Sequence, residues 1–176
     1  EDVRGRVLEL LHHLVHRLGY KKRTELALAI VQQVEQEGHF PQAHYAFDHG
    51  VLSLELSRGI EHAGKHWVSE LECSRHIQWQ GQWHRVDAVA QAWRQAHPES
   101  FRAVRVRCRN GETKSFWVFT KVVRLKRYGR KRLVIVHDQP DLGDAPRFLL
   151  TDALHWDGGR VMETGSYRWA AEIFHE

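Results

Sequence analysis

The chain has 176 residues, 42% hydrophobic and 27% charged, with a net charge of +4 at neutral pH, enough for one domain with a real core. No apolar run approaches the roughly 20 residues of a membrane helix, and the charged start lacks a signal-peptide pattern, so no membrane partner is expected. Two distant cysteines, Cys73 and Cys108, exclude a disulfide framework and a zinc-ligand spacing, and fit a reducing compartment.

The chain opens at Glu1 without a methionine and reads as a fragment of a longer protein. Val3, Val7, Leu10, Leu11, Leu14, Val15 and Leu18 recur at helical spacing, and Gly19 ends that helix. His12, His13 and His16 lie on it. They belong to a set of fourteen histidines without ligand spacing, which read as polar surface. Thr24 is placed to cap a second helix, with Leu26, Ile30, Val31 and Val34 on its buried side and Gly38 beyond its end. Residues 43–47 read as a short buried strand ending at Asp48-His49-Gly50. A helix over 51–63 follows, and Asp48 either caps it or presents a carboxylate at a strand end, where ligands gather in α/β sheets.

Residues 65–71 read as another strand. Residues 77–86 read as a hairpin bent at Gln80-Gly81, and 87–97 as a short helix. Between residues 101 and 132 stand twelve Lys or Arg against one acid, Glu112. That window carries +11, which leaves −7 for the rest of a chain whose total is +4. Val104, Val106 and Cys108 alternate with Arg105, Arg107 and Arg109, the period of a strand. Asn110-Gly111 is a hairpin signal, and the turn over 128–131 leads into a third strand, so this part reads as an antiparallel meander. An acidic loop over 138–146 precedes a buried strand, 147–153. A turn at Gly158-Gly159, an extended stretch over 161–163 and a final helix capped by Ser166 close the chain.

Two sets of residues carry chemistry. Arg105, Arg107 and Arg109 form a row with roughly 7 Å between neighbours, close to the interval of successive phosphates along a nucleic-acid strand. Arg124, Lys126, Arg127, Arg130 and Lys131 extend the basic surface, whose expected partner is the DNA backbone. In the last helix Arg168 and Glu172 are four apart and share a face, either as a surface ion pair or as part of a site. Asp48 and Glu172 together are oxygen donors suited to Mg²⁺ or Mn²⁺.

Four blocks in order, Y-A-F-D-H-G at 45–50, G-K-H-W-V-S-E-L at 64–71, R-F-L-L-T-D-A-L at 147–154 and R-W-A-A-E at 168–172, resemble the DDE insertion-sequence transposases. The closer resemblance is to the group with a tyrosine–arginine–glutamate–lysine signature. It implies an α+β fold with a ribonuclease-H-like α/β core, incomplete at the N-terminus, formed by 1–65 and 147–176. A β-rich insertion would occupy 66–146. It implies that Asp48 is the second catalytic carboxylate and Glu172 the third, both holding Mg²⁺ or Mn²⁺, with Arg168 as the signature arginine. It implies metal-dependent phosphodiester hydrolysis and strand transfer on transposon ends and target DNA, and allows a homodimer of the parent protein. The setting would be the prokaryotic cytoplasm, at the nucleoid.

The pattern departs from the group in three places. Gly165 stands where the signature tyrosine belongs, with Tyr167 out of register. The signature lysine falls beyond Glu176. The first catalytic aspartate has no counterpart, since only Asp2 precedes Asp48. The fragment alone is therefore expected to be inactive. A second reading is a non-catalytic DNA-binding remnant that uses the basic meander. A third is an interaction protein that uses Trp79, Trp83 and Trp117.

Overall fold

The computed structural model describes residues 22–107 and 111–172, with 167–172 described through their backbone. The expected first helix over 3–18, the turn containing Cys108, Arg109 and Asn110, and the side chains of Arg168 and Glu172 lie outside that description. The chain divides into two compact units, residues 1–43 with 50–65 and residues 44–49 with 66–176.

The first unit contains helices α1, Arg23–Glu37, and α2, Leu54–His62. Glu25 accepts the Lys22 N–H at 3.4 Å, so α1 starts ahead of the expected Thr24 cap. Ser53 caps α2, its hydroxyl accepting the Leu56 N–H at 3.1 Å. Asp48 is thus not the cap of this helix. Leu56 and Ile60 form the buried side of α2. A Cβ on Gly59 would stand 2.7 Å from Leu28, so a glycine there lets the two helices approach. The buried Lys65 ammonium donates to the carbonyls of Phe40 and Pro41 and lies 3.9 Å from Glu35, which offsets its desolvation.

The second unit is built on an eight-stranded sheet. Its strands are β1, Tyr45–Phe47; β2, Trp67–Glu70; β3, His76–Trp79; β4, Gln82–Arg85; β5, Arg102–Arg107; β6, Thr113–Leu125; β7, Gly129–His137; and β8, Arg147–Thr151. The path is β1-β2-β8-β7-β6-β3-β4, with β5 also paired to β6. β1 and β2 are parallel, and the other pairs are antiparallel. The turn between β3 and β4 places Gln80 at φ 50° and Gly81 at φ 81°, the two left-handed residues of a tight hairpin.

The architecture is mixed α and β. The expected core, 1–65 with 147–176, and the expected insertion, 66–146, both contribute strands to the sheet. β7 bonds along the whole of β8, and β8 bonds onto β2, so strands assigned to both parts share one sheet. The physical reason lies in β8. Phe148 to Thr151 are all buried, and a strand enclosed in this way must pair its backbone on both edges.

Alternation sorts the sheet into two faces. Phe119, Leu133, Ile135, Phe148 and Leu150 lie on one, where Trp93 of helix α3, Val86–Ala96, packs 5.4 Å from the Phe119 ring. Val118, Val134, Val136, Leu149 and Val68 lie on the other, clustered with Val161 and Met162. Those two residues belong to α4, Gly158–Glu172, which replaces the expected extended stretch over 161–163. Asp157 starts it: its carboxylate accepts the Arg160 N–H at 2.8 Å and its carbonyl accepts the Val161 N–H. Ser166 is inside the helix, donating to the Glu163 carbonyl at 2.7 Å, and is not a cap.

Two tests follow from this packing. A Cβ at Gly158 would meet Thr120 Cγ2 at 2.9 Å and Val118 Cγ1 at 3.0 Å, both branched side chains held on a strand. Gly158→Val is expected to destabilise the chain by about 1–3 kcal/mol in urea unfolding. The second concerns the loop over 138–146, which is tied by Asp144. Its carboxylate accepts from Asp138 N–H at 2.8 Å, from Gln139 N–H at 3.3 Å, and lies 3.1 Å from buried His137 Nδ1. Partial burial opposes its charge, but the Asp138 amide and His137 outweigh that and hold the carboxyl below its ordinary value. A depressed folded-state pKa gives stability above the unfolded value that is lost as pH falls through the folded one. Asp144→Ala is expected to cost about 1–3 kcal/mol at neutral pH. That difference should shrink in acid, as followed by thermal melts across pH.

Candidate functional site

β1 ends at Phe47, and Asp48 follows it, half-buried. The parallel register sets Ala46 beside Val68 and Phe47 beside Ser69, with the Phe47 and Trp67 rings stacked at 5.8 Å. Phe47 and Trp67 therefore occupy the face away from α4, and Ala46 and Val68 the α4 face. By alternation the position after Phe47 belongs to Ala46's side, as does Glu70 at the end of β2. His49 lies 4.0 Å from the Glu70 carboxylate and 3.9 Å from that of Glu72. Asp48, Glu70 and Glu72 thus gather where the two parallel strands stop. Sequence reasoning passed over Glu70 and Glu72, although Glu70 stands in one of the four quoted blocks.

α4 crosses the strands. Its start touches Val118 and Thr120 of β6, and a Cβ on Gly165 would meet Leu149 of β8 and Val68 of β2. Seven further residues advance the axis by roughly 10 Å, about twice the spacing between neighbouring strands. α4 also packs on β1. Its backbone therefore carries Glu172 to the β1 side of the sheet, with Arg168 one turn earlier. Among the described residues, no group of three or more His, Cys, Asp or Glu is arranged to hold a metal ion. The donor type of Asp48 and Glu172, carboxylate oxygen, suits a hard divalent cation.

The basic residues divide into two groups. Arg105 and Arg107 are exposed on β5, opposite Ser115 and Thr113. Arg124, Lys126, Arg127 and Arg130 are exposed around the β6–β7 turn. The two groups lie at opposite ends of β6, about 37 Å apart for eleven residues of strand, and on opposite faces by alternation. The single ribbon expected from the sequence is therefore two patches. Lys131 belongs to neither: it is 8% exposed, with its ammonium 5.9 Å from the Trp67 ring centre. It points inward because its register partner is the buried Val123. Arg109 lies outside the described residues.

The turn patch works against its own stability. Arg124 and Arg130 are directly paired across β6 and β7, where like charges repel. Arg127 takes φ 73°, a conformation that costs a non-glycine residue energy. Of the three tryptophans singled out, Trp83 is 42% exposed while Trp79 and Trp117 are half-buried.

No family model matches the chain, and no curated protein sequence matches it. No helix among the described residues is long and apolar enough to cross a membrane.

Arg124→Glu would set opposite charges across β6 and β7. It is expected to raise stability by about 0.2–1 kcal/mol in urea titrations; a loss of stability would show that the arginine pair is not repulsive.

Proposed function

We propose that the chain is part of the catalytic domain of a DDE transposase of the insertion-sequence type, with a ribonuclease-H-like core. The observation that carries the reading is topological. Asp48 ends a strand on whose sheet α4 lies, and α4 runs toward that strand with Glu172 at its far end. Strand-end aspartate and helix-borne glutamate come from positions 124 apart in the chain, yet the backbone brings them to the same side of one sheet.

In this reading Asp48 and Glu172 hold Mg²⁺ or Mn²⁺, and Arg168, one helical turn from Glu172, orients that carboxylate or meets DNA. A bound divalent ion would supply Lewis acidity toward a phosphoryl oxygen and lower the pKa of water. Arg105, Arg107, Arg124, Lys126, Arg127 and Arg130 grip phosphates from the two patches, positioning the duplex without reading its bases. The parent protein hydrolyses a phosphodiester at a transposon end, and the freed 3′-hydroxyl then attacks a phosphodiester of target DNA, forming a new P–O bond as the target's own 3′-oxygen leaves. It works at the nucleoid of a prokaryotic cell, and a homodimer would bring two ends together.

The exposure of both basic patches equally favours a second reading, a DNA-binding remnant without catalysis. The parent protein separates the two. With Mg²⁺ and DNA carrying the element's ends, it is expected to nick at those ends. Asp48→Asn or Glu172→Gln should each lower the rate by about a thousandfold or more while DNA binding persists. Wild-type rates from either variant would remove the carboxylates from the chemistry and leave the remnant. The 176-residue chain, with two of the family's three carboxylates, is expected to bind DNA without cutting it.

A further inference from the structure

The strand register brings four side chains into one line across the sheet. Trp83 of β4 stands opposite Gln78 of β3, Gln78 opposite Arg124 of β6, and Arg124 opposite Arg130 of β7. Residues directly opposite one another in antiparallel strands point to the same face, so all four share one. Each of them is exposed. In the sequence, Trp83 and the arginines belong to separate readings; only the pairing of distant strands unites them.

The two faces at this end of the sheet differ. Ile77 and Leu125, one residue along from Gln78 and Arg124, point the other way and are buried, with α3 packed on β3 and β4. The row lies on the face that carries Val118 and Thr120, where α4 begins. The covered part of that face stops at Arg132, whose guanidinium donates to the Leu154 carbonyl at 3.0 Å and to the Thr120 hydroxyl at 3.1 Å. Beyond Arg132 the strands are open. His76 is exposed beside the row, and the Lys126 N–H donates to its carbonyl at 3.0 Å, which sets another exposed cation at the same end. β3, β4, β6 and β7 contain no Asp or Glu, so the cations have no carboxylate on their own strands. Trp83, at 42% exposed, is the large apolar side chain left outside the core among the described residues.

We propose that this open face binds single-stranded nucleic acid, with an unpaired base stacked on Trp83 and the backbone running over Arg124 and Arg130. Neighbouring strands lie about 4.8 Å apart, so the row spans about 14 Å, the reach of about two nucleotides of an extended strand. A phosphate above β6 and β7 can accept from both arginine forks, which neutralises two like charges set side by side. Gln78 lies between them and the indole, and its amide both donates and accepts, which suits any base edge. A duplex is the poorer occupant, because its bases cover one another and offer an indole on a sheet surface no free ring. An acidic peptide would satisfy the arginines and has no planar base for the indole. Arg124 and Arg130 are shared with the proposed duplex contact, whereas Trp83 and Gln78 are new. Neither carboxylate of the transposase reading takes part, so the face goes beyond that reading and stands or falls apart from it.

The test uses the whole 176-residue chain. Two labelled probes, an oligothymidylate of about 20 nucleotides and a random-sequence duplex of about 20 base pairs, are titrated over a series of salt concentrations. Trp83→Ala is expected to weaken oligothymidylate binding about tenfold, with the salt slope and the duplex affinity unchanged, because the indole stacks and carries no charge. Trp83→Phe should recover most of that loss. Arg124→Gln should flatten the salt slope by about one phosphate contact. Arg23→Gln, an exposed arginine on α1, sets the effect of net charge alone. Circular dichroism and melting confirm that each variant is folded; β4 ends the strand path and Trp83 lies outside the core, so its loss leaves the packing intact. Wild-type affinity of Trp83→Ala for oligothymidylate would overturn the proposal, as would an abasic strand that binds as tightly as oligothymidylate. A polyaspartate peptide that displaces the oligonucleotide at equal charge concentration would overturn it too and assign the face to acidic protein. In each case nicking by the parent protein still decides the transposase reading. A parent protein that fails to nick, while this chain holds the single strand through Trp83, would sink the transposase reading and leave this face standing.

Discussion

The second unit depends on how one helix lies on one sheet. α4 begins where Asp157 satisfies its first-turn N–H groups, and Gly158 lets its backbone press against Val118 and Thr120. Val161 and Met162, both fully buried, lock it over Val134, Val136 and Leu149. With its start fixed on β6 and its middle on β8 and β2, the helix has no freedom in where its far end points. The position of Glu172 follows from contacts made two to four turns earlier. A helix end placed in this way gains its geometry from the core, since packed interiors resist displacement.

The parallel pair of β1 and β2 makes the matching contribution from the sheet. Parallel strands require a crossover, and here residues 48–66 provide it, so both strands stop at the same end of the sheet. Carboxylates following those strands share that end. Asp48, Glu70 and Glu72 gather there with His49 within 4.0 Å of two of them. Trp67, Val68 and Ser69 bury β2 almost completely, which fixes where that end of the sheet lies.

How much of this was legible in the residues differs by element. Strands with clear alternation and tight turns were: the hairpin at Gln80-Gly81, the meander of β5 to β7, and β8 were all placed from pattern. The helix starts were not. Thr24 and Ser166 looked like caps because hydroxyls favour that position, but Glu25 and Asp157 satisfied the amides first. Val161 and Met162 looked extended because two adjacent buried apolar residues do not distinguish strand from helix at that length. The strand order of the single sheet was not legible either, since it is decided by pairings between distant segments. Asp48 and Glu172 enter the proposed site through resemblance alone.

The basic residues make a separate argument about cost. A solvated sheet face gains nothing from two arginines set directly opposite each other, yet Arg124 and Arg130 are so placed. Nor does a turn gain from arginine at φ 73°, where glycine or asparagine would be less strained. Lys131, one residue along, shows the alternative the sequence could have used: a cation drawn inward over Trp67 and away from the surface. The surface arginines instead stay exposed, concentrated and like-charged. Such an arrangement is unfavourable in the free chain and becomes favourable when a polyanion supplies the opposite charge and its counterions are released. The repulsion between Arg124 and Arg130 is thus a local cost that the extensive pairing of β6 with β7 carries.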